Sequence, residues 1–533
     1  LARATLANWF NSNTKALKVA QKMRVDEKSW RAVVAQLRSE WKFPFRDHTA
    51  LMDFAANGWP LPMPATKKPS TPTFSKSQSF KRTAADLRDL AKGENFFVTS
   101  AVNNCLANDD FVQAVTHLCD DRNAQLLINK VRYKNPTRRD DAALSGEWWD
   151  KNLKEFMLEQ ELRPHPLLSI MTMKAQATAS NPLPPRADAL TQDRSAVFGH
   201  PQLSLRTVPV PHLQYPKTLY SSGACTKPWY SDTVAGELAE FHHSICGVLV
   251  EVRGEAFFLR EVTWSTKDKA FIDIDTMYTA DGAQSAPPAR LLNMGDIHVP
   301  MQSPEVMEAT FGKGGIYEAT QPEELMIHDV FNADEVNPHE FGNQLSRAAM
   351  AAEGRTNLEA GVRKVMEWLD GLPTDCKRTV SRSNHDEFLD RWVQAGEKNV
   401  EPENRLLYHR LCAAMLEHRA EHGELPQALE TAIGLLGGLE TEVRWLGIND
   451  SYRINGIENA MHGHKGPNGS RGSIKAFSRL GTRTNTAHNH GFAIWQGNYQ
   501  NGHSSWTRHG YNNGPSSWGW AHTLQNALGY RQM

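Results

Sequence analysis

In this 533-residue chain, reactive residue types gather where apolar runs end. "LLNMGDIHVP" (291–300) finishes in Asp296 and His298, at i and i+2. "LMIHDVFN" brings Asp329 to the end of a second run, and "CKRTVSRSNHDEF" brings Asn384, His385 and Asp386 to the end of a third. "GIENAMHGHKGPNGSRGS" carries His462 and His464, and "TNTAHNHGF" carries His488 and His490. Taken as ligands, carboxylates, an amide oxygen and imidazoles suit Mn²⁺, Zn²⁺ or Fe²⁺ rather than Ca²⁺, which prefers oxygen alone. There are too many donors for one tetrahedral ion. They fit two ions sharing a bridging carboxylate, an arrangement that clamps the oxygens of an in-line phosphoryl displacement.

Strands must position such residues. Alternate residues of a strand share a face, so Asp296 and His298 are expected to converge just past a sheet edge, where open α/β sheets place their chemistry. From residue 95 the pattern is α/β: "NFFVTSA", "DDFVQAVTHLCDD" and "AQLLINKV" read as strand, helix and returning strand. "SICGVLVEVRGEAFFLREVTW" reads as a hairpin around Arg253–Gly254–Glu255. Helical periodicity covers 338–371, 386–396 and 402–437, and strands with long loops follow beyond 440.

The amino-terminal part differs in charge. Residues 1–83 hold 15 Lys+Arg against 5 Asp+Glu, while the whole chain sums to −1, leaving 84–533 acidic. "DEKSWRAVVAQLRSEWK" (26–42) sets Trp30, Val33, Val34, Leu37 and Trp41 on one helical face, and "TKALKVAQKMRV" reads as a shorter helix before it. A helix pair presenting Lys28, Arg31 and Arg38 follows the helix-turn-helix pattern of DNA-binding modules, although a plain helical cap with solvated charges has the same pattern. Residues 60–83 are Pro-rich and basic, an extended linker. The expected division is 1–59 as a basic helix-turn-helix-like module, 60–83 as linker, 84–285 as an α/β accessory domain and 286–533 as the catalytic domain. No apolar stretch approaches the ~18–20 residues of a membrane span, and residues 1–30 lack a signal-peptide core. Six cysteines without a CxxC pair fit free thiols in a cytoplasmic protein.

In order, these segments resemble the motifs of the calcineurin-like metallophosphoesterases, D-x-H, G-D-x-x-[DN], G-N-H-[DE], H and G-H-x-H. The matching residues are Asp296-Ile297-His298, His328-Asp329-Val330-Phe331-Asn332, Ser383-Asn384-His385-Asp386, His462, and Ala487-His488-Asn489-His490. The departures are at the glycines, replaced by His328, Ser383 and Ala487; His328 either enters the site or points away. "AVFGHPQLSLRTVPVP" and "YSDTVAGELAEFHHSICGVLVEV" are similar to segments of phage metallophosphoesterases, in particular pre-early DNA-transfer nucleases of tailed phages. The resemblance implies a β-sandwich flanked by helices and two divalent ions, Mn²⁺ foremost. Asp296, His298 and His490 would hold one ion, Asn384, His462 and His488 the other, and Asp329 would bridge them. A bridging water would attack, His385 would protonate the leaving oxygen, and Asp386 would orient His385.

His464 is the rival of His462. His242 and His243 are expected to cap or pack, and His503, His509 and His522 to be ordinary surface or core residues. Arg471, in a glycine-rich turn, could reach a substrate phosphate, and Trp495, Trp506, Trp518 or Trp520 could stack bases. The expected function is a phage-encoded DNA nuclease that forms a homo-oligomer in the host cytoplasm. The alternatives are a phosphatase or nucleotide phosphodiesterase with a small substrate, and a DNA-binding or transfer protein with a secondary metal site.

Overall fold

The computed structural model describes residues 10, 14–25, 30–41, 43, 51, 94–133 and 147–533, except 174, 185, 212–214 and 510–511. The chain divides into two compact units, Leu1–Gln78 and Ser79–Met533.

In the first unit, α1 (Thr14–Val25) and α2 (Trp30–Trp41) pair through Ala16 and Ala20 on one side and Val33, Val34 and Leu37 on the other. Phe10, Phe43 and Leu51 close this small core, with Trp41 packed against it. Arg31 and Arg38 are exposed. Lys28 and the linker 60–83 lie outside the described residues.

The second unit is mixed α/β. Strands β1 (Asn95–Val102) and β2 (Ala124–Val131) run parallel across α3 (Asp109–Asp121), the βαβ unit read from the pattern. Asn108 Oδ1 accepts from the Phe111 amide, and Asp109 and Asp110 occupy the first turn, so the start of α3 is both capped and favourably charged. Five further strands follow: β3 (Leu162–His165), β4 (Leu168–Met171), β5 (Ser195–Phe198), β6 (His200–Val208) and β7 (Lys217–Gly223). The expected hairpin is β8 (Cys246–Arg253) and β9 (Ala256–Thr263), with Gly254 at φ +61°, a conformation glycine adopts without strain. A meander of β10 (Ala270–Asp273), β11 (Thr276–Thr279) and β12 (Gly282–Ser285) leads into the site-bearing half.

There, β13 (Leu291–Asn293), β14 (Glu324–His328), β15 (Lys377–Ser381) and β16 (Arg444–Leu446) form a parallel array in the order β16-β15-β14-β13. Helices α4 (Leu358–Asp370), α5 (Asp386–Gln394), α6 (Arg405–His422) and α7 (Ala428–Leu435) contribute to the core beside it through Val362, Val365, Leu389, Trp392, Leu411 and Ile433, among others. The carboxyl-terminal part supplies β17 (Arg453–Ile454), β18 (Ile457–Glu458), β19 (Arg483–Thr486), β20 (Ala493–Trp495), β21 (Asn498–Gln500), β22 (Thr523–Gln525) and β23 (Arg531–Gln532). Strand β22 extends the parallel array in the antiparallel sense, beside β13.

One ten-stranded sheet, ordered β17-β18-β19-β21-β20-β6-β7-β5-β4-β3, draws its strands from both sides of the boundary expected at 285/286. Strands from 162–223 and 453–500 share its hydrogen bonds, so the two regions form one folding unit. Buried asparagines tie the two larger sheets together. Asn459, leaving β18, accepts from Asn293 Nδ2 of β13 at 3.5 Å, and Asn501, leaving β21, donates to the Asn293 carbonyl at 3.0 Å. Among the described residues, no helix is long and apolar enough to cross a membrane.

Candidate metal centre

The first three ligand segments leave the carboxyl ends of neighbouring parallel strands. Asp296 and His298 follow β13, Asp329 follows β14, and Asn384 and His385 follow β15. His462 follows β18, and His488 and His490 follow β19. The strand before Asp296 ends early, at Asn293, so simple alternation does not aim Asp296 and His298. The backbone turns instead: His298, Asp329, His488 and His490 all have positive φ, between 49° and 73°. Non-glycine residues seldom hold this conformation, and it tends to persist where surrounding structure enforces it. Here the loops after β13 and β14 enforce it on one another, through Ile297 N to His328 O (3.0 Å) and His298 N to Asp329 O (2.7 Å).

One atom each from Asp296, His298, Asp329 and His490 lies within 4.8 Å of all the others, and all four residues are buried. His490 Nε2 is 3.0 Å from both Asp296 Oδ2 and His298 Nε2. Asp329 Oδ2 lies between two imidazoles, 3.7 Å from His298 Nε2 and 3.4 Å from His462 Nε2. Asn384 Oδ1 is 3.1 Å from that same His462 nitrogen, and the His488 ring centre is 5.3 Å from that of His462. The His488 amide donates to Asp296 Oδ2 at 2.9 Å, which anchors the carboxylate. His464 turns away to Glu387, 3.3 Å from Oε1, so His462 is the member of that pair inside the cluster. His328 bonds Asn293 Oδ1 at 3.1 Å and backs the His462 ring.

The donor set fits a divalent transition metal. Asp296 Oδ1 and Asp329 Oδ1 are buried and have no hydrogen-bond partner among the described residues, a costly state for a carboxylate that a cation would relieve. Burial pushes His298 and His490 well below the usual imidazole range and His488 down to about 3, which leaves them neutral with lone pairs to give. His462 is the exception. Burial lowers it, but the Asp329 and Asp296 carboxylates outweigh burial and hold it at about 9. A cation taken up at pH 7.5 should therefore release at least one proton, and affinity should fall as pH drops below 9. Calorimetry in buffers of different ionisation enthalpy measures that release; none at all would put His462 outside the coordination sphere.

His385 sits at the mouth of α5 with its ring centre 4.8 Å from that of His298. Its Nδ1 donates to the Asn332 carbonyl at 2.6 Å, leaving Nε2 for chemistry. The orienting group is thus Asn332. Asp386, expected in that role, accepts instead from the Ser383 amide at 2.9 Å, and its own amide bonds Ser383 Oγ, so it closes the turn into α5. Arg471 is exposed on a short ladder opposite Lys465.

Two histidines read as ordinary stand against the cluster. The His509 ring centre is 5.1 Å from that of His298, and His503 is 5.3 Å from His490, with Trp518 4.0 Å from His490. His503 pairs with Asp296 in a short parallel ladder, a long-range contact without a local sequence signal. His522 is structural, bonding the Gly295 amide and Thr310 Oγ1, and His243 packs against Tyr230 and the Thr226 carbonyl.

The chain is similar to a phage protein. It is 28% identical to Protein A1 of Escherichia phage T5 over 457 residues, which cover 84% of this chain and 82% of that protein. No family model matches the sequence, and no solved structure matches it.

Proposed function

We propose that this chain is a metal-dependent phosphodiesterase that cleaves DNA, with a dinuclear site of the calcineurin-like kind. The observation that carries the reading is the convergence of all five motif segments on one buried Asp/His cluster at strand ends, with Asp296 and His488 in contact across 192 positions. Asp296, His298 and His490 would hold one divalent ion, Asn384, His462 and His488 the other, and Asp329 would serve both. Such ions, Mn²⁺ foremost, supply Lewis acidity that polarises the phosphoryl group and neutralises developing charge. The chain's own residues do the rest. His385, fixed through Nδ1 by the Asn332 carbonyl, would as an imidazolium give its Nε2 proton to the leaving oxygen. The αL turns and the asparagine ties hold the ligands at fixed separations. Similarity to a phage protein supports a phage setting, in DNA transfer or host DNA degradation.

The polymer is assigned from charge. Residues 84–533 are acidic and would repel a phosphate backbone, whereas 1–83 carry the positive excess. The test uses plasmid DNA and a small phosphodiester, with full-length protein and a chain lacking residues 1–83. Full-length protein with Mn²⁺ should release acid-soluble nucleotides. The truncated chain should bind DNA more weakly, with a salt slope shallower by roughly 0.9 per lost phosphate contact, yet hydrolyse the small ester as before. Hydrolysis of the small ester alone would assign a small substrate. DNA retention without hydrolysis would assign a binding or transfer role.

A further inference from the structure

Behind His490 stands a chain of side chains that belongs to none of the five motifs. His503 Nδ1 is 2.9 Å from Ser505 Oγ, and Ser505 Oγ is 2.7 Å from His509 Nε2. The Trp506 carbonyl also faces the His509 ring and can only accept. One arrangement of protons satisfies these contacts and leaves His503 an acceptor: His509 carries its proton on Nδ1, the nitrogen not used by Ser505. Its bare Nε2 then takes the single hydroxyl proton of Ser505. Ser505 Oγ in turn accepts from His503 Nδ1, and neutral His503 is left with a lone pair on Nε2. That atom is buried and has no partner among the described residues.

His490 has the complementary need. Its Nε2 faces Asp296 and His298, so with a cation held among these atoms Nε2 gives its lone pair and the proton of the neutral ring sits on Nδ1. This Nδ1 is likewise buried without a partner. The two ring centres are 5.3 Å apart with planes tilted by 33°. Two imidazoles joined by one N–H···N bond of about 3 Å have centres roughly 5.2 Å apart. The ladder adds a second constraint: Asp296 N donates to Gly502 O at 3.2 Å and Ser504 N to Asp296 O at 2.7 Å, which sets His503 alongside the ligand Asp296.

We propose that His503 is a positioning residue for the metal centre. Its Nε2 accepts a hydrogen bond from the Nδ1–H of His490 when His490 binds a divalent transition metal, and Ser505 and His509 hold His503 in the accepting tautomer. An imidazole ligand whose second nitrogen is held by an acceptor is better oriented and more basic. The proposal rests on the metal-centre reading above.

Mn²⁺ titration calorimetry on the full chain tests it, with Co²⁺ absorption as a second readout of ligand geometry. His503→Phe, which keeps a ring but no acceptor, should weaken Mn²⁺ binding roughly 10–100-fold and broaden the Co²⁺ bands. His503→Gln, which returns an acceptor oxygen near the Nε2 position, should recover most of the affinity. Ser505→Ala, which frees the tautomer, should lose several-fold. Wild-type affinity in His503→Phe, or equal losses in the Phe and Gln variants, overturns the proposal. If His503→Phe shows no cooperative thermal unfolding, Ser505→Ala decides: unchanged affinity overturns the proposal. Wild-type protein that binds neither Mn²⁺ nor Co²⁺ overturns the metal-centre reading itself, and the role of His503 with it.

Discussion

Replacing Asp329 with Ala should abolish hydrolysis and strip metal from the whole centre. Its Oδ2 stands between His298 and His462, and its Oδ1 is buried without a hydrogen bond, so one side chain serves both halves of the cluster. The carboxylate is also the main reason His462 is held up at about 9; burial alone would lower it. Without Asp329, four imidazoles, three of them buried, would face the cation with Asp296 as the single carboxylate. Backbone strain must be separated from charge. Asp329 sits at φ +49°, where Asp is tolerated better than Ala, which pays roughly 1–2 kcal/mol there. Asp329→Asn keeps the local preference and removes only the charge, so it should lose metal as completely as the Ala variant. Elemental analysis decides: two ions retained per chain in either variant would refute the bridging role.

His385→Ala should behave differently. Its Nδ1 is held by the Asn332 carbonyl and the proposed scheme gives it no ion to hold, so metal content should be unchanged. Turnover on DNA, whose leaving oxygen needs a proton, should fall by roughly 10²–10⁴, the usual range for loss of a general acid. A nitrophenyl phosphodiester, whose leaving group departs without one, should be affected far less. Equal losses on both substrates would remove His385 from the acid role. Asp386→Ala separates the two neighbours. Because Asp386 bonds Ser383 rather than the imidazole, its loss should lower thermal stability, by about 1 kcal/mol if it behaves as an ordinary helix cap, with the substrate dependence of turnover unchanged.

The residues that cluster were legible because their types and order stand in short segments, each placed by a strand end. Local pattern also gave the βαβ unit at 95–131 and the hairpin at 246–263, since both are built from neighbours in sequence. The aiming of the ligands was not legible. Alternation predicts extended backbone through His298, whereas left-handed turns at His298, Asp329, His488 and His490 bring the side chains together, and those turns come from contacts between loops. The same limit hid His503 and His509. Nothing near "NGHSSWTRH" marks them, and only the pairing of His503 with Asp296 brings them beside the cluster. The division at 285/286 was drawn at a Pro-rich break, a local signal that is blind to strands pairing across it.

That ten-stranded sheet also sets a clock. Strand β20 joins β6, and Ser204 Oγ donates to the Ile494 carbonyl across 290 positions. At synthesis rates of about 5–20 residues per second, on the order of half a minute separates the two strands' emergence from a ribosome. For the later part of that interval the growing chain holds Asp296, His298 and Asp329 but lacks the imidazoles of His488 and His490. Under the proposed function, the chain would thus stay inert towards DNA while it is being made. Activity would begin only when the late strands close the sheet.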